Sequence, residues 1–170
     1  MKRTLLLLLI VSSFLMAASD TDTLSIMVNV KSIFSLEIDR HIVDFKTLLP
    51  GQMMRDMPDN EGVKVTAKSN NGNGWVLKIS NLAELSDGSE LIPNKYFYWS
   101  GYPSRSASGT WYGKGTDNLS LTPVLAYSAS MSEYNNYPAG TDLYFKFDLK
   151  VPDKQKSGIY RSIVAFTLTE

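Results

Sequence analysis

The chain has 170 residues, with 17 basic and 17 acidic side chains, one histidine and no cysteine. It has no basic cluster, which argues against nucleic acid or an anionic membrane as a partner, because both require concentrated positive charge. The lack of cysteine excludes a disulfide framework and any thiolate site.

The N-terminus has the three-part layout of a secretory signal peptide. Lys2 and Arg3 form a positive n-region, residues 5–16 are an almost unbroken apolar run, and residues 17–19 are small. The apolar run is too short to span a bilayer, and small residues after such a run are what a signal peptidase reads. Residues 1–19 are therefore predicted to be a signal peptide, cleaved near Ser19–Asp20.

Removal of that segment leaves residues 20–170, which are predicted to form a single exported domain. Loss of Lys2 and Arg3 lowers the basic count from 17 to 15 against 17 acidic groups, a net charge of −2. We expect the mature protein to be secreted, extracellular or held in the cell envelope, without spanning a membrane. Exported domains without cysteine are common on bacterial surfaces, so a bacterial source is expected.

Alternation of apolar and polar residues begins near the start of the mature chain. Leu24, Ile26, Val28 and Val30 occupy every second position, and the alternation resumes at residues 34–38 after a break. A period of two predicts a long first strand, and the break predicts a bulge or kink. Such a strand pairs within its own domain or adds to the sheet edge of a neighbouring subunit. These four residues are therefore a candidate assembly strand for self-association.

Two alternating runs flank a connector rich in Asn and Gly at residues 70–74. Residues 63–67 alternate before the connector, and Trp75, Leu77 and Ile79 alternate after it. Alternating runs joined by a short Asn/Gly segment predict a β-hairpin. Because Trp75 is in phase with Leu77 and Ile79, its indole is predicted to lie in the core.

The remaining strands complete the predicted fold class. Further strands are predicted at the aromatic stretch 95–99 and at residues 119–121 and 124–127, alternation recurs at residues 143–151, and a last strand opens at Gly158. That last strand is apolar on both faces over residues 163–166, which predicts a central position in a sheet. No window has a sustained helical period. The expected fold is all-β, an antiparallel two-sheet immunoglobulin-like sandwich of about seven to nine strands.

Three short motifs resemble the WxL surface domain of Gram-positive bacteria. They are Trp75-Val76-Leu77, the stretch "LKVP" at residues 149–152, and Gly158-x-Tyr160 before the terminal strand. The second Trp-x-Leu of that family is replaced here by Phe166-Thr167-Leu168. The resemblance covers residues 60–170 and implies a surface sandwich attached non-covalently to peptidoglycan. A weaker similarity to fimbrial and spore-coat sandwich subunits implies a structural subunit. In either case Trp75, Leu77, Phe166 and Leu168 are expected to be core residues.

Aromatic side chains crowd the segment 96–112. Strand alternation accounts for residues 96–99, whereas residues 101–118 are rich in Ser and Gly and are predicted to form a long exposed loop. Glycan-binding sandwiches present aromatic rings on which sugar rings pack. We therefore expect a glycan or partner contact at Trp111 and Tyr112, with Tyr102 and Trp99 as further members.

No catalytic arrangement is visible. A hydrolytic triad needs a nucleophile, a base and an orienting carboxylate together, and His41 is the only histidine. Without cysteine, only an oxygen-ligand calcium site is compatible with the composition. Its best location, at residues 56–61, lacks the alternate-residue spacing of a calcium loop. We expect no enzyme activity, no cofactor and no metal site.

The expected function is that of a non-enzymatic exported protein of the cell envelope or cell surface. Its expected partners are cell-wall polymer, glycan or other surface proteins, and no nucleic acid. One alternative is a strand-complemented subunit of a surface filament or coat. The other is a secreted enzyme, which no motif supports.

Overall fold

The structure is a computed structural model that describes residues 24–59, 61–115 and 117–170. The predicted signal peptide and its cleavage point lie outside the described residues. Residues 31–170 form one compact unit. Within the described residues there are twelve strands: β1 Phe34–Ile38, β2 Met53–Met57, β3 Val63–Ser69, β4 Val76–Asn81, β5 Leu85–Ser86, β6 Leu91–Ile92, β7 Phe97–Pro103, β8 Thr110–Trp111, β9 Asp117–Asn118, β10 Val124–Ser128, β11 Thr141–Lys150 and β12 Val164–Thr169. Two 3₁₀ turns, Asn94–Tyr96 and Met131–Glu133, are the only helical elements in these ranges.

The strands form two antiparallel sheets that pack as a sandwich. The larger sheet has the order β1-β3-β11-β7-β9, with β2 also paired to β11, and the smaller has the order β12-β4-β10-β8. β5 and β6 make a separate two-stranded ribbon. Eight of the strands have five or more residues. The predicted all-β sandwich is therefore confirmed, and its connections place β1 and β12 at sheet edges.

The core is centred on β11, the strand in the middle of the larger sheet. Leu143, Phe145 and Phe147 alternate toward the inside and are all buried. The ring of Phe145 lies 4.7 Å from that of Phe166 on β12 and 5.3 Å from that of Trp111 on β8, measured between centroids. Phe145 thus joins its own sheet to two strands of the smaller sheet.

The connector at residues 70–74 crosses between the two sheets, so the predicted hairpin is wrong. β3 pairs with β1 and β11, whereas β4 pairs with β12 and β10. Asn70 fixes the crossing, because its Oδ1 accepts the N–H of Ile33 at 2.6 Å and its Nδ2 donates to the carbonyl of Lys31 at 2.9 Å. Strands that face each other across a core alternate just as paired strands do, and the pattern alone does not separate the two cases.

Two further predictions, of a strand at residues 24–30 and of a loop at residues 101–118, are also wrong. Residues 24–33 are assigned to no strand, and the first strand begins at Phe34. Alternation gives a segment one apolar face, but a strand also needs a partner for its backbone. Residues 101–118 are not one long loop, because they include the end of β7 and the whole of β8 and β9, which pair with β10 and β7.

The last strand lies at a sheet edge and not at the predicted central position. β12 ends the order of the smaller sheet and pairs there with β4. Ile163, immediately before it, is 65% exposed. Strands that are apolar on both faces are normally covered on both faces. The apolar residues on the second face of this strand lack such a covering layer.

Phe145→Ala is expected to destabilise the sandwich by about 3–5 kcal/mol, because it leaves a cavity at the contact between the sheets. Tyr112→Ala removes an aromatic ring that is 45% exposed and should change the free energy of unfolding by about 0.5 kcal/mol or less. Urea unfolding of the two variants measures both values. Equal losses in the two variants would show that Phe145 does not join the sheets.

Candidate functional site

The N-terminal segment, residues 24–30, exposes a row of apolar side chains. Leu24, Ile26, Val28 and Val30 are between 74% and 88% exposed. A contiguous exposed apolar row of this kind is typical of an interaction surface. These are the four residues predicted as an assembly strand, and their side chains are accessible for that role.

The outer edge of β12 carries backbone groups without a neighbouring strand among the described residues. The N–H of Leu82 donates to the carbonyl of Ile163 at 2.8 Å. Hydrogen-bonded pairs alternate along an antiparallel ladder, and the register of β12 with β4 is regular. The backbone N–H and C=O groups of Val164, Phe166 and Leu168 therefore point away from β4, toward the open edge.

β1 is the corresponding edge of the larger sheet. The N–H of Asp39 donates to the carbonyl of Lys64 at 3.0 Å, so the same alternation turns the backbone groups of Phe34, Leu36 and Ile38 away from β3. The side chains of these three residues are half-buried against the core. Each sheet therefore ends in an edge strand that has an apolar inner face and whose outward backbone groups meet no strand among the described residues.

A cleft of about 1120 Å³ opens between the two sheets at these edges. The irregular segments 40–50 and 155–163 flank it. We call it the edge cleft, defined by six apolar residues of β1, β3, β11 and β12, namely Ile38, Val63, Phe147, Leu149, Val164 and Phe166. It is the larger of the two clefts described here, and its inner wall is the hydrophobic core itself.

The predicted aromatic contact residues divide into buried and exposed members. Trp99 is 2% exposed and lies 6.0 Å from Trp111 between ring centroids, so its ring is not accessible to a ligand. The reason is strand phase, because Trp99 shares the inward face of β7 with Phe97. Tyr102 and Tyr112 are 42% and 45% exposed and remain candidates for contact.

Trp111 is half-buried because two glycines leave room for its indole. A Cβ at Gly101 would lie 3.0 Å from the ring, and a Cβ at Gly113 would lie 2.7 Å from Nε1. The indole therefore packs on bare backbone and on the ring of Phe145. The Gly-rich surroundings that predicted an exposed loop are the feature that admits the ring to the core.

The motif residues lie in or against the core. Trp75 and Leu77 are 2% and 0% exposed, which confirms the core position predicted for them from strand phase. Phe166 and Leu168 are half-buried on β12 and pack against the same core. The motif thus contributes to the interior from two paired strands of the smaller sheet, β4 and β12.

A buried polar cluster holds Trp75 and the end of β10 together. The indole Nε1 of Trp75 donates to the carbonyl of Glu133 at 3.1 Å. The carboxylate of Glu133 accepts from the hydroxyl of Tyr127 at 2.8 Å, the N–H of Ser130 at 2.8 Å and the hydroxyl of Thr141 at 3.1 Å. Burial raises the pKa of the Tyr127 hydroxyl, and the hydrogen bond from that hydroxyl to Glu133 raises it further. The carboxylate is thus occupied by donors of the fold.

A second cleft, of about 400 Å³, lies beside the outer face of the larger sheet. Its lining includes Asp39, Arg40, Glu61, Lys64 and Tyr144. The ring of Tyr144 stacks on that of Tyr102, with 5.2 Å between centroids and 20° between planes. This stacked pair, which we call the tyrosine pair, lies next to charged groups of both signs.

The remaining sequence candidates are His41 and the calcium candidate at residues 56–61. His41 is exposed in the irregular segment after β1. Among the described residues, no three acidic or histidine side chains are placed to hold a metal ion. Asn60, a member of the calcium candidate, lies outside the described residues. Across the described ranges, no helix has the length and apolar character needed to cross a membrane.

Comparisons of the chain with models of protein families, with curated proteins and with solved structures find no match. The resemblance to the WxL domain therefore stays a prediction that rests on the short motifs alone.

Glu133→Ala is expected to lower the free energy of unfolding by about 3 kcal/mol, because it leaves buried donors of Tyr127, Ser130 and Thr141 without an acceptor. Glu37→Ala serves as the matched control, since Glu37 forms an exposed ion pair with Lys68 at 2.8 Å and should cost about 1 kcal/mol or less. Chemical denaturation compares the two. A loss at Glu133 no larger than at Glu37 would contradict the structural role of the buried cluster.

Proposed function

We propose that this protein is a non-enzymatic, exported structural protein of the cell envelope or surface. In this proposal its chains bind one another through the N-terminal segment, which becomes a strand on association. The observation that carries the proposal is the exposure of Leu24, Ile26, Val28 and Val30 in strand phase. Addition of an extended segment to a sheet edge is an established mode of protein recognition.

The energetics explain why such a segment requires a partner. Full burial of one aliphatic side chain contributes about 1.5–3 kcal/mol relative to an exposed one. Fixing the backbone of one residue costs about 1–2 kcal/mol, and in the N-terminal segment only every second residue belongs to the apolar row. Apolar burial alone therefore does not order the segment. A partner that supplies both an apolar cleft and a sheet edge orders the segment, because backbone hydrogen bonds to that edge add to the apolar burial.

Export and surface location rest on two sequence features. The signal peptide predicted at residues 1–19 supports secretion, and the resemblance of residues 60–170 to a bacterial surface domain supports the cell envelope. The absence of enzyme activity remains part of the proposal. Its support is the engagement of the buried carboxylate of Glu133 by neighbouring donors of the fold.

The test compares the oligomeric state of three forms of the mature chain, residues 20–170. Ile26→Asp with Val28→Asp places charge on the apolar row, and Ser25→Asp with Asn29→Asp places the same charge on the polar face. We expect oligomers from the unchanged chain and from the polar-face variant, and monomers from the apolar-row variant. Size-exclusion chromatography with light scattering measures this.

The control for folding is far-ultraviolet circular dichroism, which should be alike in all three forms because every buried core residue lies within residues 31–170. Monomers in all three forms would overturn the proposed self-association. Oligomers that persist in the apolar-row variant would show that the chains associate through another surface.

A second candidate function, binding of glycan or wall polymer, is favoured by the tyrosine pair. Stacked aromatic rings beside hydrogen-bonding groups suit a sugar, whose C–H faces pack on rings while its hydroxyls bond the charged groups. Tyr102 is exposed, and its hydroxyl donates to the carbonyl of Glu61 at 3.1 Å. The surface would hold a chain laid across the larger sheet.

Tyr102→Ala is expected to abolish retention of residues 20–170 on insoluble cell-wall polymer, because it removes the outer ring of the pair. Tyr137→Ala is the control, since Tyr137 is 49% exposed and is not a member of the tyrosine pair. Co-sedimentation measures the bound fraction. No retention of the unchanged chain, or equal retention of both variants, would remove this candidate.

A further inference from the structure

We propose that the edge cleft is the acceptor for the N-terminal segment of a second copy of this chain. Residues 24–30 of one molecule insert beside β12 of the next and extend the smaller sheet by one strand. This inference rests on the proposed self-association and adds to it the site at which the segment binds. It also sets the form of the assembly.

The backbone of β12 is prepared for another strand. Val164, Phe166 and Leu168 direct their N–H and C=O groups toward the open edge, as the ladder with β4 requires. A long apolar edge strand with free backbone groups is a template for pairing unless it is short, charged or covered. β12 has six residues, VAFTLT, and no charge.

The composition of β12 is also that of an inner strand. Residues 163–166 are apolar on both faces, although Ile163 is 65% exposed. Strands with this composition are normally buried on both sides. An inserted strand would give β12 a neighbour on each edge and would pair with its outward backbone groups.

The N-terminal segment matches the site in length and pattern. Its seven residues span about 23 Å as a strand, and the six of β12 span about 20 Å. Leu24, Ile26, Val28 and Val30 would all point into the edge cleft, whose volume is about 1120 Å³. The segment carries no charge, so it reaches the apolar inner wall of the cleft without the cost of burying an ion. Among the charged lining residues, Arg40, Asp44 and Lys46 belong to the flanking segment 40–50.

The exposure of the segment favours a second copy as the acceptor. Residues 31–33 connect the segment to β1, and Asn70 holds both ends of this tether, through Lys31 and Ile33. Leu24, Ile26, Val28 and Val30 are between 74% and 88% exposed in the single chain. A second copy supplies the cleft that buries them, and a link within one chain is the outcome that would contradict this choice.

Insertion of this kind produces an open chain of subunits. Each copy gives one segment and accepts one, through two different surfaces, and such a heterologous contact does not close on itself unless its rotation makes a ring. The structural unit would therefore be a filament or a coat lattice built from identical links. A pairing of two N-terminal segments with each other would instead stop at a dimer.

Engineered disulfides test the acceptor site, because the chain has no cysteine of its own. The donor is the chain 20–170 with Met27→Cys, which lies on the face opposite the apolar row. The acceptor is the chain 31–170, which contains the complete buried core and has no segment to give. Three acceptor variants are made, each with one cysteine: Ile163→Cys, Ala165→Cys and Thr167→Cys. One of these positions then lies opposite the donor cysteine in any register of the segment against β12.

The matched control is Thr110→Cys, at the opposite edge of the same sheet. Mild oxidation should link the donor to one or more of the three β12 variants. It should not link the donor to the Thr110→Cys variant. The link should also be lost when the donor carries Ile26→Asp and Val28→Asp. Non-reducing gel electrophoresis of each mixture gives the linked fraction.

The other outcomes separate this inference from the proposed function. Links between two Met27→Cys donors with none to β12 would overturn the acceptor site and leave self-association standing. A link between Met27→Cys and Ala165→Cys inside a single monomeric chain would show insertion into the segment's own domain and overturn the inference. Equal linking at β12 and at Thr110 would show unspecific contact. A chain that stays monomeric throughout would overturn both proposals.

Discussion

The packing of Phe145 against Phe166 is the contact on which the arrangement of this sandwich depends. It joins the middle strand of the larger sheet to the edge strand of the smaller one, at 4.7 Å between ring centroids. Trp111 and Trp99 pack on the same ring at 5.3 and 5.9 Å. An aromatic pair of this geometry adds about 0.5–1.5 kcal/mol to the burial of its surface. The contact also sets where β12 lies, and therefore where the smaller sheet ends.

The position of that edge decides what the rest of the surface can do. The contact of Phe166 with Phe145 keeps the inner face of β12 on the core, but it leaves the outer backbone of the strand open. β1 is the equivalent edge of the larger sheet. Its side chains Phe34, Leu36 and Ile38 are half-buried against the core, and its outer backbone is open. Natural sheets usually protect such edges by charge, proline or a covering segment. Here the two edges border the largest described cleft, and the exposed apolar row immediately precedes β1.

Alternation in the sequence predicted which side of each strand faces the core, but it did not predict pairing. Trp75 was placed correctly because its phase with Leu77 is a local property of one strand. The hairpin between β3 and β4 was wrong because the two strands belong to different sheets, and both bury alternate residues. The half-burial of Trp111 was not predicted because Phe145, the ring on which it packs, is distant in sequence. Facing contacts of this kind depend on topology, which a single sequence expresses only weakly.

The error at β12 is of a different kind. The composition of residues 163–166 predicted a central strand, and that prediction is wrong because one side of β12 has no strand among the described residues. Local signals that disagree with a fold tend to mark functional positions, because a natural sequence is otherwise consistent across its levels. An edge strand with inner-strand composition and an exposed segment in strand phase are two such disagreements in one chain. One added strand would resolve both, since it would give β12 its second neighbour and bury the apolar row.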